Sequence, residues 1–282
     1  MNLQRLISTE SQRLKDAGYV HGDREVAIIL SKLLGIDSNE LFNRYDNEVS
    51  PALAETLEKQ VSRRLKGEPV AYIVGTQQFM SWEFLSDHRA LIPRPETETL
   101  TETVIRLIRA HHLEGGKFLE IGTGAGIISI CLKKHFPEAE ITATDISDEA
   151  LELAEENAKR LKVDVKFVES DLFQNVPKDK YDLIVANLPY VPTQKLDFVS
   201  DQILDWEPMV AIEAGEDGLK YLEPFLRQAP KFLKKDGIIA LEFWHTHGDR
   251  VCDMVEKYLS EYGVKIEKDL AGFDRYAIIQ PK

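Results

Sequence analysis

Cysteine is nearly missing from this chain: Cys131 and Cys252 are the two it has among 282 residues, and both fall in helical patterns. That count argues against a disulfide framework and fits a reducing cytosol. Apolar runs are short, none approaching the ~20 residues of a membrane span. The opening stretch "MNLQRLISTESQRLKDAGYV" carries acids on a helical pattern and lacks the apolar core and small-residue cleavage site of a signal peptide. A cytoplasmic protein with no membrane contact is the expectation. Excess positive charge is missing as well. At a formal net charge of −13, the chain has no global attraction for phosphate backbones, so no direct nucleic-acid binding is expected. Metal-ligand clusters are also lacking. His245 and His247 alternate in "EFWHTHGDRV" with no supporting carboxylate or thiol set, which reads as a surface loop, and no metal is expected.

What is present changes character along the chain. Residues 1–75 hold 10 Lys+Arg against 11 Asp+Glu, so most of the acidity belongs to the remainder. Within them "LQRLISTESQRLKDAG", "DREVAIILSKLLG" and "SPALAETLEKQVSRRLKG" place apolar residues three and four apart, and Gly18, Gly35 and Gly67 close the patterns. This predicts a small all-helical domain over 1–75. Residues 76–93 alternate, carry aromatics and end near Pro93 and Pro95, predicting a linker hairpin.

From 94 to 282 strand and helix alternate. "KFLEIG", "EITATD", "VDVKFVES", "YDLIVANL", "GIIALEFW", "VKIEKDL" and "DRYAIIQ" are the predicted strands. "GLKYLEPFLRQAPKFLKK" is read as one helix between the fourth and fifth of them. Such alternation implies an α/β fold, a Rossmann-like seven-stranded sheet that is mostly parallel. The short link between the last two strands makes one of them antiparallel.

Four motifs sit at the C-terminal ends of successive strands, where open α/β sheets bind ligands. "FLEIGTGAG" puts Gly122, Gly124 and Gly126 between strand and helix, with Ile127 breaking the G-x-G-x-x-G spacing of a dinucleotide oxidoreductase. "TATD" ends on Asp145, whose carboxylate suits both hydroxyls of a ribose, because Ser147 and Asp148 are available to cap the next helix. "SDLF" offers Asp171 to an amino group, with Leu172 and Phe173 as apolar surface for an adenine ring. "NLPY" ends the fourth strand with Asn187, Leu188, Pro189 and Tyr190. In "IPRPETE", either Arg94 and Glu96 line the site or tie the two domains together, or Thr97 simply caps the following helix; the two readings stand equal. Trp206 reads equally as channel wall or as core.

Taken in order, these motifs resemble the class I S-adenosylmethionine-dependent methyltransferases. Within them the chain is similar to the PrmC/HemK family, which methylates a glutamine side-chain amide in peptide chain release factors. "GEPVAYIVGTQQFMSWEFLSDHRALIPRPETE", "WEPMVAIEAGEDGL" and "DLAGFDRYAII" follow the family pattern over essentially the whole length. The resemblance implies S-adenosyl-L-methionine as cofactor, held by Glu120, Gly122, Thr123, Gly124, Ala125, Gly126, Asp145, Asp171, Leu172 and Asn187. It implies release factors as protein partners, with Asn187, Leu188, Pro189 and Tyr190 catalytic and Arg94 and Glu96 beside the substrate. The family usually reads Asn-Pro-Pro-Tyr, and Leu188 departs from it. Asn-Leu-Pro-Tyr also resembles adenine-amino methyltransferases of ribosomal RNA, so adenine-amino methylation of RNA or DNA is one alternative function; a non-catalytic cofactor-binding adaptor is another. An amide nitrogen is a poor nucleophile, so alignment by the Asn187 oxygen and the Leu188 carbonyl is the expected chemistry.

Overall fold

The computed structural model describes residues 1–282. They form two compact units, Met1–Thr76 with Ser200–Trp206, and Gln77–Val199 with Glu207–Lys282. In the first unit the apolar stripes become α1 (Leu3–Asp16), α2 (Gly22–Leu34), α3 (Pro51–Arg64) and α4 (Val70–Val74). Asn2 caps α1 by accepting from the Arg5 amide at 3.1 Å, and Ser50 caps α3 by accepting from Leu53 at 3.2 Å. Each satisfies an amide that the helix itself leaves orphaned. Leu14, Ile29, Leu30, Leu57 and Val61 meet in one fully buried core. Arg64, buried on α3, donates to the Glu25 carboxylate on α2 at 2.7 and 3.1 Å and lies 4.0 Å above the Tyr19 ring. A buried guanidinium with both partners in place locks the register of the two helices. Trp206, half-buried, belongs to this unit; its Nε1 lies 3.3 Å from where a side chain on Gly67 would begin.

A hairpin follows, β1 (Thr76–Phe79) and β2 (Trp82–Leu85), which from Gln77 on belongs to the second unit. The hairpin expected within 76–93 is present, and its apolar side chains join this unit's core. Phe79 and Phe84 are fully buried and meet edge-to-face at 6.2 Å. Glu98 accepts from the Met80 amide at 2.6 Å, and Asn157 holds both backbone groups of Leu85. Apolar burial and satisfied backbone groups fix the hairpin in place.

The main elements follow in alternation: α5 (Pro95–Ala110), β3 (Lys117–Ile121), α6 (Ile127–His135), β4 (Glu140–Asp145), α7 (Asp148–Leu161), β5 (Lys166–Glu169) and β6 (Tyr181–Ala186). After α8 (Asp201–Trp206), part of the first unit, come α9 (Leu222–Gln228), β7 (Leu233–Glu242), α10 (Gly248–Tyr258), β8 (Tyr262–Lys268) and β9 (Asp274–Pro281). The expected helix through Lys235 stops at Gln228; Pro230 cannot donate to a continuing ladder, and Leu233 instead pairs with Tyr181.

The seven strands run in the order β5-β4-β3-β6-β7-β9-β8. All neighbours are parallel except β9, which is antiparallel to both β7 and β8. Both faces are covered. Phe118, Leu183, Val185 and Ile238 pack into one core cluster, and their strand neighbours Leu119, Ile184 and Ile239 into another. That is the alternation a doubly covered sheet imposes.

Register then sets the site. Ile121 pairs with Thr144 and Ala186, and Ala186 pairs with Leu241. Gly122, Asp145, Asn187 and Glu242 are therefore brought to one edge. The strand order reverses between β3 and β6, which opens the crevice between their C-terminal ends. No helix is long and apolar enough to cross a membrane. Cys131 is fully buried, and burial pushes its thiol well above the ordinary range, which removes it as a nucleophile.

Candidate functional site

One half of the crevice is backbone. Gly122 has φ 76°, and the Gly122 and Thr123 amides both donate to Thr144 O at 2.8 Å. A side chain on Gly122 would begin 2.8 Å from Leu188 Cδ2. Glycine is thus required there for conformation and for space. Glu120, buried at 2% exposure, accepts from the Thr123 hydroxyl at 2.7 Å and the Ser129 amide at 3.0 Å. Burial pushes its carboxyl up to about 7. Glu120 thereby holds the glycine loop in shape. Gly122, Thr123, Gly124 and Ala125 line the crevice with it. Gly126 does not; a side chain on it would begin 3.0 Å from Ala154 Cβ, so its role is to let α6 approach α7.

Asp145 lines the crevice and accepts from the Gly124 amide at 2.7 Å and the Ser147 amide at 3.0 Å. Burial raises its carboxyl above the ordinary range, partly offset by these backbone donors. Ser147 caps α7 by accepting from Ala150 at 3.2 Å, so Asp145 is not spent as the cap. Ile146, 52% exposed, adds an apolar wall that the sequence reading missed. Its signal was an isoleucine following the acid of "TATD". Asp171 and Leu172 complete this side. Leu172 has φ 49°, and the Ser170 hydroxyl donates to its carbonyl at 2.9 Å. This left-handed turn sends Phe173 away from the crevice and into the core. There Phe173 stacks on Phe232 at 4.9 Å, which corrects the expectation that it faces a ligand ring.

The other half is built on side chains. Asn187, Leu188 and Pro189 line the crevice, whereas Tyr190 does not. The Tyr190 hydroxyl donates to Glu242 Oε1 at 2.9 Å. Thr97 Oγ1 donates to Glu242 Oε2 at 3.0 Å, and Asn187 Nδ2 donates to Thr97 Oγ1 at 2.9 Å. Thr97 is therefore not the helix cap; α5 starts from Arg94 with no side-chain cap. Burial raises Glu242 to about 7 and keeps the Tyr190 phenol well above its ordinary range. Sequence reading missed Glu242; its one signal was a lone acid closing the apolar strand "GIIALE".

Arg94 lines the crevice and pairs with buried Glu207 at 2.5 Å, and Glu207 also accepts from the Ile92 amide at 2.9 Å. Both partners lie in the second unit. Glu96 stands outside the crevice lining, and its carbonyl accepts from the Tyr276 hydroxyl at 2.7 Å. His247, expected on a surface loop, is buried at 7% exposure beside the N-terminus of α10, and its Nδ1 has no partner.

The arrangement fits a nucleoside bound against the β3–β5 half: a buried carboxylate for hydroxyls, Ile146 and Leu172 as apolar walls, and Asp171 at the rim. A release factor glutamine methyltransferase from Koribacter versatilis is 33% identical over 279 residues, spanning 99% of this chain and 98% of that protein. The chain belongs to the release factor glutamine methyltransferase family. Two family models agree: the PrmC N-terminal domain matches residues 6–75 and the methyltransferase small domain residues 97–207. The family member from Aquifex aeolicus is 36% identical, over 91% of this chain and 90% of that protein. A bifunctional methyltransferase from Rickettsia bellii is 34% identical over 89% of this chain, which spans about half, 50%, of that longer protein. A methyltransferase structure from Pyrococcus furiosus covers 80% of this chain and 98% of its own, with a TM-score of 0.52 and 20% identity. That likeness is one of fold.

Proposed function

We propose that this chain transfers a methyl group from S-adenosyl-L-methionine to the side-chain amide nitrogen of the glutamine in the Gly-Gly-Gln motif of peptide chain release factors, in support of translation termination. The observation that carries the reading is the orientation of Asn187. Its Nδ2 is spent on Thr97, so Oδ1 is the end left to accept from a substrate N–H. The Leu188 carbonyl follows in the chain as a second acceptor. Together they suit a primary amide, which has two N–H donors. Bonding both donors fixes the nitrogen and stabilises positive charge growing on it.

When bound, S-adenosylmethionine supplies an electrophilic methyl on a sulfonium, a leaving group needing no protonation. Asp145 would accept from its ribose hydroxyls, Ile146 and Leu172 would flank the adenine, and Asp171 would accept from the adenine amino group. Glu120, Thr123 and Gly126 act on the loop itself, with Gly122, Gly124 and Ala125 giving backbone access. Pro189 shapes the turn after Leu188. Tyr190, outside the crevice lining, acts through its hydroxyl on Glu242. Arg94, fixed by Glu207, borders the crevice as the entering side chain would meet it. Leu188 keeps the carbonyl that the family's usual proline provides, without the fixed φ. The helical unit, with its near-balanced charge, is the part proposed to hold the release factor. The setting is cytoplasmic, without nucleic acid as a direct ligand.

The test is peptide mass spectrometry of release factor incubated with the protein and S-adenosylmethionine. One methyl on the Gly-Gly-Gln glutamine, absent with Asn187→Ala, is the expected result. Transfer to an RNA adenine with none on that glutamine would overturn the reading.

A further inference from the structure

Resting on that reading, we infer that Thr97 and Glu242 are positioning residues, a directional hydrogen-bond relay that sets which end of the Asn187 amide faces the reacting nitrogen. The number of protons each group can give fixes the direction. Glu242, when ionised, only accepts. One of its oxygens takes the Tyr190 hydroxyl and the other the Thr97 hydroxyl. Thr97 has a single hydroxyl proton, and it is spent on Glu242. Its remaining lone pairs face Asn187, so Asn187 must present its NH2 to Thr97, as it does at 2.9 Å. The polarity of a carboxylate at the end of β7 thereby leaves Asn187 Oδ1 as the acceptor available to the crevice.

Protonation reverses the relay. A neutral Glu242 donates its proton to Thr97 Oγ1, the Thr97 proton turns to Asn187, and the amide flips to offer Oδ1 to Thr97. The NH2 then faces the substrate amide, donor against donor. No atom is lost in the exchange; one proton enters at Glu242, the Glu242–Thr97 and Thr97–Asn187 bonds change direction, and Tyr190 goes on donating to the other Glu242 oxygen. The groups around Glu242 set where this happens. Burial favours the neutral acid, Glu96 adds to that, and Arg275 on β9 and the hydroxyls of Tyr190 and Thr97 oppose it. Tyr276, the β9 register partner of Glu242, keeps its own hydroxyl on the Glu96 carbonyl. The balance puts the transition at about 7, within the working range of an enzyme. Thr97 is 6% exposed and Glu242 3% exposed, so neither is offered to bulk solvent as an alternative partner.

The experiment is steady-state methylation of intact release factor by the full chain from pH 5.5 to 9, with S-adenosylmethionine affinity and thermal melting measured in parallel. Thr97→Val should lower kcat on the order of 10- to 100-fold, with the cofactor Kd unmoved. Thr97→Ser, which keeps the hydroxyl, should restore most of the lost rate. Wild-type kcat should fall as pH drops through about 7. Glu242→Gln should flatten that limb, because its amide cannot ionise. A Thr97→Val protein as active as wild type, or a pH limb unchanged in Glu242→Gln, would overturn the relay. Should Thr97→Val melt early, the Glu242→Gln pH profile still decides. If wild type leaves the glutamine unmethylated, it is the proposed reaction that fails, not the relay.

Discussion

Glu120 and Glu242 are the same chemical group in matching places, yet they act differently. Each closes or nearly closes a parallel strand, is almost fully buried, accepts from a threonine hydroxyl and is raised by burial to about 7. Glu120 gathers both of its donors, Thr123 and Ser129, on the single oxygen Oε2. Glu242 uses both oxygens, one for Tyr190 and one for Thr97. The first bonds to a loop and shapes a backbone cradle. The second bonds to side chains and leads to Asn187. A glutamine can imitate the first arrangement with its one oxygen; it cannot imitate the second. The number of oxygens engaged, rather than burial or pKa, separates a carboxylate that holds structure from one that sets direction.

The sharpest test of the division between the two halves is Asn187→Ala. Methyl transfer should drop about 10³-fold, as when an oriented acceptor or donor is removed at a reacting centre. Cofactor affinity measured by calorimetry should barely change. A large loss of cofactor affinity would merge the halves. Next in size, Glu120→Ala leaves the Thr123 hydroxyl and Ser129 amide buried without an acceptor, and denaturant unfolding should show a loss of about 2–4 kcal/mol. Asp145→Ala should weaken S-adenosylmethionine binding by roughly 10- to 100-fold, again by calorimetry, since the Gly124 and Ser147 amides lose their partner along with the ligand.

Smaller is the pH effect at Glu120. Its folded carboxyl is raised from 4.5 to about 7, so the stability it contributes is fully present below the lower value and is lost as pH rises through the upper one. Glu120→Gln, which retains both hydrogen bonds to one oxygen, should therefore melt higher than wild type at pH 8 and show no such gain at pH 5. A gain at both would mean that charge burial is not the cause. Leu188→Pro should change kcat by less than about threefold, because the accepting carbonyl is retained while φ is restricted and the N–H and isobutyl group are lost.

Much of this was readable in the chain. Apolar spacing of three and four marks α1 to α3, and short apolar runs closed by Gly122, Asp145 and Asn187 mark β3, β4 and β6. The four motifs at strand ends were legible because a parallel sheet gathers all such ends on one edge. Less legible were features needing the far side of a contact. Phe173 follows an acid and a leucine on a strand end, but the left-handed turn at Leu172 points it into the core. The hairpin at 76–85 looks like a linker until Asn157 and Glu98 bind its backbone. Residues 201–206 look like loop, and Trp206 seats them against Gly67.

Local pattern thus carried most of the elements, the family and the four motifs at the sheet edge, since periodicity and turn chemistry act over a few residues. Packing settled which of those residues touch. Thr97 and Glu242 are 145 positions apart, and Asn187 is 90 from Thr97. No local propensity relates them. Only the order β3-β6-β7, with α5 laid against its end, brings one hydroxyl between an amide and a carboxylate. The direction of each hydrogen bond then follows from how many protons the group has to give.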